Sequence, residues 1–107
     1  MKLLRWAAAL GLAGTLGAVW AAGPPDLNLA RNLAATCANC HGTDGRSVAG
    51  SGSAGLAGTD KDTLMQKLRD FRSGARPATI MHQISKGYSD DQLKLIAAWF
   101  AAQKPTP

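Results

Sequence analysis

Apolar residues recur at helical spacing in three stretches of the 107-residue chain, and a fourth stretch near the start is apolar without a break. Leu29, Leu33 and Cys37 fall at i, i+4 and i+8, which predicts a first helix running to about Cys40. Its N-cap is Asp26, just after Pro24-Pro25, or alternatively Asn28. Leu64, Leu68 and Phe71 mark a second helix that Thr59 or Asp60 can cap and that Ser73-Gly74 ends. Leu93, Ile96, Ala97 and Phe100 form the stripe of a last helix, with Trp99 beside it. Ser89 and Gln92 match the capping-box pattern at its start, and Pro105 follows its end. Between the second and last helices Pro77 opens a short segment, Ala78 to Lys86, closed by Gly87. No stretch alternates apolar and polar residues as a half-buried strand does, and nothing repeats. The expected fold class is all-α, with about three main helices.

The unbroken apolar stretch, Trp6 to Val19, is preceded by Lys2 and Arg5 and followed by Val19-Trp20-Ala21, the layout of a secretory signal peptide. It is shorter than the roughly 20 apolar residues that span a bilayer, and Gly11, Gly14 and Gly17 dilute it. Residues 1–21 are therefore expected to be cleaved, leaving residues 22–107 as one exported, periplasmic domain with no membrane association.

A domain of that size has a thin core and usually needs a disulfide, a metal or a large buried cofactor. Charge narrows the partners. Loss of Lys2 and Arg5 lowers the net charge from +5 to +3, too small an excess to support nucleic-acid binding. From Gly42 to Gly58 the chain holds six glycines, two serines flanking Gly52, and Leu56 as its one large apolar anchor. Too little chain precedes this segment for it to join two domains, so a loop passing closely over a flat ligand fits better.

The chemistry lies in Cys37-Ala38-Asn39-Cys40-His41, the C-x-x-C-H signature of covalent haem attachment. Positions i, i+3 and i+4 share one helical face, so both thiols can reach one porphyrin edge while His41 turns toward the iron. A thiol–disulfide centre would sit beside a strand, and none is predicted. A tetrahedral zinc site would have only Cys37, Cys40, His41 and His82, with Cys40 and His41 adjacent. A plain disulfide leaves His41 and the glycine loop unexplained. The opposite face of the iron has Met65, Met81 and His82 as candidates. Met65 lies in an amphipathic helix, where methionine is commonly core filler. Met81 occupies a separate short segment that can close over a ligand. His82 beside it would diverge by about 100° on a helix, so only one of the two can face the metal.

From Cys37 onward the chain resembles the class I cytochromes c. The residues that carry this are the C-A-N-C-H motif, the Gly42–Gly58 loop with Leu56-Ala57-Gly58, Met81, and the last helix with Trp99. Across Phe71 to Gln103, opening F-R-S-G-A-R-P-A-T-I-M-H, it resembles the cytochrome subunits of flavocytochrome c sulfide dehydrogenases. The resemblance implies one covalent haem c, with Met81 as distal ligand opposite His41. It also implies crossed first and last helices, setting Leu29 and Leu33 against Ile96 and Trp99 or Phe100. It implies an electron-transfer role without catalysis of its own: electrons come from an FAD-containing flavoprotein subunit and pass to a downstream acceptor. A free-standing shuttle cytochrome is the alternative. The family's usual proline, whose carbonyl holds the proximal histidine, is missing between Gly42 and Gly58; some other backbone carbonyl is expected in its place.

Overall fold

A computed structural model describes residues 26–105; the expected signal peptide lies outside the described residues. Helix α1, Leu27–Ala35, starts where the Asp26 carboxylate accepts the backbone N–H groups of Asn28 at 2.9 Å and Leu29 at 3.1 Å. Its buried residues are Ala30 and Ala34, whereas Leu29 is 45% exposed. The expected apolar stripe is thus turned by one position. Leu33 and Cys37 still pack on the core, but alanines occupy the centre of the contact with the last helix. Their small side chains allow the two helix axes to approach closely.

Helix α2, Ala38–His41, follows almost directly. The predicted single helix to Cys40 is interrupted because the backbone tightens: Cys37 N–H bonds to Ala34 carbonyl at 3.0 Å, a three-residue spacing. Thr36 accompanies this turn, its hydroxyl donating to Leu33 carbonyl at 3.1 Å and meeting Tyr88 Oη at 2.8 Å.

Gly42, at φ +80, ends α2 and turns the chain into a 3₁₀ turn, Thr43–Gly45. Gly45 carbonyl accepts Leu56 N–H at 2.8 Å and Ala57 N–H at 3.1 Å, and Gly58 N–H donates to Phe100 carbonyl at 2.9 Å. The glycine-rich segment is therefore drawn back onto α5 rather than left as a linker.

Helix α3, Lys61–Ser73, has Asp60 as its N-cap, accepting Thr63 N–H at 2.9 Å, and left-handed Gly74 as its C-cap. Leu64 and Met65 are its buried residues. Helix α4, Met81–Lys86, ends at Gly87. Helix α5, Asp90–Ala101, carries both halves of the expected capping box: Gln92 N–H to Ser89 Oγ at 3.2 Å and Ser89 N–H to Gln92 Oε1 at 2.9 Å. Packing of α5 on α1 and α3, with α3 on α4, makes one core of Ala34, Leu64, Met65, Leu93, Ile96, Ala97 and Phe100. Among the described residues there is no strand, and no helix is long and apolar enough to cross a membrane.

Candidate functional site

Cys37, Cys40 and His41 sit on consecutive turns where α1 gives way to α2, and no disulfide joins the two cysteines. Cys37 packs against the core while Cys40 is exposed. Burial pushes the Cys37 thiol up from its ordinary value, helped by Cys40 and opposed by a hydrogen bond from Thr36. Among the described residues no three His, Cys, Asp or Glu side chains gather around a common point, which leaves a tetrahedral ion without its ligands.

His41 is held by a specific partner. Its Nδ1 lies 2.7 Å from Ala54 carbonyl. A carbonyl can only accept, so Nδ1 carries a proton, and in the neutral ring this tautomer leaves the Nε2 lone pair for a metal. Ala54 is delivered by the glycine-rich segment, which Gly45 pins two residues later through Leu56 and Ala57. The carbonyl that replaces the missing proline is thus Ala54. The two thiols and the oriented imidazole, brought together by one helical turn, could hold a haem through two thioethers and an iron bond.

The remaining candidates are distributed over α3 and α4. Met65 is 3% exposed and belongs to the core between α3 and α5. Met81 is the first residue of α4 and is half-buried. His82 turns elsewhere: it lines a cleft of about 260 Å³ with Phe71, Arg76 and Lys86, and its Nδ1 is buried without a partner. Helix α4 is fastened from α3. Arg72 reaches Ser85 carbonyl at 3.4 Å and Tyr88 carbonyl at 2.7 Å, and pairs with Asp90.

No family model matches the chain. It is 41% identical over 78 residues to the thiosulfate dehydrogenase electron acceptor of Stutzerimonas stutzeri, covering 73% of this chain and 36% of that protein. It is 38% identical over 68 residues to the cytochrome subunit of sulfide dehydrogenase of Chlorobaculum tepidum, covering 64% and 60%. Cytochrome c-554(548) of Halomonas halodenitrificans is 33% identical over 72 residues, and there the match takes in 86% of the relative. The chain belongs to the cytochrome c family. That family's cofactor is haem c. The chain spans only about a third to three fifths of the length of the two dehydrogenase-linked relatives.

Two features of this cytochrome were not visible in its sequence. Ala54 contributes a backbone carbonyl, which no side-chain pattern announces. Arg72 is a half-buried clamp, which helical spacing alongside Arg69 and Arg76 does not reveal, and Arg76 stacks over the Phe71 ring at 5.7 Å. Only Arg69 of the three stands on an exposed face without such a contact.

Proposed function

We propose that this cytochrome is a one-haem electron-transfer subunit that takes electrons from an FAD-containing sulfide dehydrogenase flavoprotein and passes them to a downstream acceptor. Cys37 and Cys40 anchor the haem, His41 is the proximal ligand and Met81 the distal one. The observation that carries the reading is the His41 ring, held at Nδ1 by Ala54 carbonyl directly beside Cys40 of the C-x-x-C-H motif. A haem held there supplies one-electron redox chemistry. The protein's share is to tether it, to keep His41 in one tautomer, and to offer a thioether that favours the ferrous state and raises the potential. The placement of His82 in the cleft with Phe71 and Arg76, which Met81 does not line, supports Met81 as the residue left for this task. Residues 1–21 serve as a cleaved export signal, and residues 22–107 form the periplasmic domain, where haem attachment takes place.

The sulfide-linked partner is supported by the match to the Chlorobaculum protein and by the Phe71 to Gln103 segment. A free-standing shuttle is favoured instead by the near-complete coverage of the Halomonas relative, whose name refers to no dehydrogenase. A pyridine haemochrome spectrum of the exported protein tests the first claim: one covalent haem per chain is expected, and its absence defeats the reading. Purification from the native source then separates the partners. Co-elution with an FAD protein and reduction of the haem by sulfide are expected. A monomer that sulfide and the flavoprotein leave oxidised points to the shuttle. Met81→Ala should abolish the sulfur-to-iron charge-transfer band of the ferric protein and lower the potential; a band that survives removes Met81 from the ligand set.

A further inference from the structure

Helix α4 has six residues and no side-chain cap at its N-terminus, where Ile80 is more than half exposed. A helix that short does not hold itself in water. What holds it is polar. Ser85 is completely buried, the only polar residue in the described core. Its hydroxyl donates to Met81 carbonyl at 2.7 Å, and its carbonyl accepts Arg72 Nε at 3.4 Å. The same guanidinium reaches Tyr88 carbonyl at 2.7 Å and the Asp90 carboxylate. Tyr88 in turn meets Thr36, one residue before Cys37. One cation on α3 therefore ties together the start of α4 through Ser85, the loop after α4, the first turn of α5 and the attachment motif. Lysine could not do this, because the contacts use separate nitrogens of a planar fork.

We propose that Arg72 is a positioning residue for Met81, setting how often α4 swings away and exposes the iron face that Met81 covers. This rests on Met81 being the distal ligand. An added imidazole binds ferric haem only when the protein's own ligand has left, so its apparent affinity reports the open fraction directly. In wild-type holoprotein that fraction is small. Arg72→Met keeps the aliphatic stem over the helix but deletes the contacts to Ser85, Tyr88 and Asp90. Imidazole should then bind at least about tenfold more tightly, the equivalent of roughly 1.4 kcal/mol and one charged hydrogen bond. Arg72→Lys should recover only part of the change.

Ile96→Val provides the control, since it lowers global stability in the α5 core and leaves every hydrogen bond of Arg72 in place. Imidazole affinity unchanged in Ile96→Val but raised in Arg72→Met, with the charge-transfer band of Arg72→Met still present before titration, is the expected result. Equal affinities in Arg72→Met and Ile96→Val overturn the proposal while leaving Met81 as ligand. A wild-type protein whose imidazole affinity does not change on Met81→Ala refutes the ligand assignment, and the proposal with it. If Arg72→Met fails to accumulate, Ser85→Ala, which removes only the hydroxyl bond to Met81 carbonyl, must show a smaller rise of the same sign; no rise there counts against the proposal.

Discussion

Gly45 offers the sharpest test of how the glycine-rich segment is held. It is buried, has φ +77, and a Cβ placed on it would lie 2.7 Å from Phe100 Cδ1, 2.9 Å from Ala57 N and 2.9 Å from Leu56 Cβ. Gly45→Ala therefore incurs two separate penalties. Holding an L-residue at positive φ costs about 1–2 kcal/mol. Pressing a methyl group against α5 and the returning backbone adds about 1–3 kcal/mol, because neither can move without disturbing Phe100 or the Gly45 carbonyl bonds. The sum, about 2–5 kcal/mol, is a large part of the ~5–15 kcal/mol that stabilises an ordinary domain. Gly50→Ala separates the terms: φ is +79 there, but nothing lies within 4 Å of the added carbon. Urea denaturation of both holoproteins, followed by far-UV circular dichroism at constant m-value, should show Gly45→Ala losing about 1–3 kcal/mol more than Gly50→Ala. In thermal scans each of those kcal/mol moves Tm by about 4–8 °C. Equal losses would mean that the segment does not approach α5 at Gly45, and the delivery of Ala54 to His41 would need another explanation.

Met65→Ala should cost about 2–5 kcal/mol through the cavity it leaves between α3 and α5, while the charge-transfer band assigned to Met81 stays unchanged. Loss of that band in the spectrum would reverse the roles of the two methionines. Acid should weaken the fold in a defined direction. Arg72 holds the Asp90 carboxyl below its usual value, first by hydrogen bonding and then by charge, and the Thr63 backbone does the same for Asp60 at the α3 cap. Both folded values lie under the unfolded ones, so the unfolded chain binds more protons. Their stabilisation is thus complete above the ordinary carboxylate range near ~4 and is lost as pH falls through the lowered values. Urea midpoints measured against pH should drop in that window, and Asp90→Asn should flatten part of the drop; an unchanged slope would show that Arg72 gains nothing from the charge of Asp90.

Much of the fold could be read along the chain because its signals are local. The Ser89–Gln92 box, the Asp60 cap and the left-handed Gly74 each act within one helical turn, and each lies where the side-chain pattern places it. The attachment motif was legible for the same reason. What escaped depends on contacts distant in sequence. The face of α1 is set by how closely α5 can approach, which favours Ala30 and Ala34 over the larger Leu29. Spacing alone could not distinguish the two. Arg72 is set apart from Arg69 only by Ser85, Tyr88 and Asp90, which come within its reach from between 13 and 18 residues further on. Ala54 has no distinguishing side chain at all. Its role is to be the residue whose carbonyl points at His41 once Gly45 has turned the loop.

The pairing of α1 with α5 also sets an order of events in the growing chain. Cys37 is partly buried by a core to which α5 contributes four of its members, and α5 begins only at Asp90. Until α5 docks, the first helix lacks the surface it packs on in the folded domain, and Cys37 lacks most of its cover. If Cys37 is a haem anchor, the thiol must therefore be modified before α1 and α5 have closed over it, which makes the docking of the last helix the step that ends access to the motif.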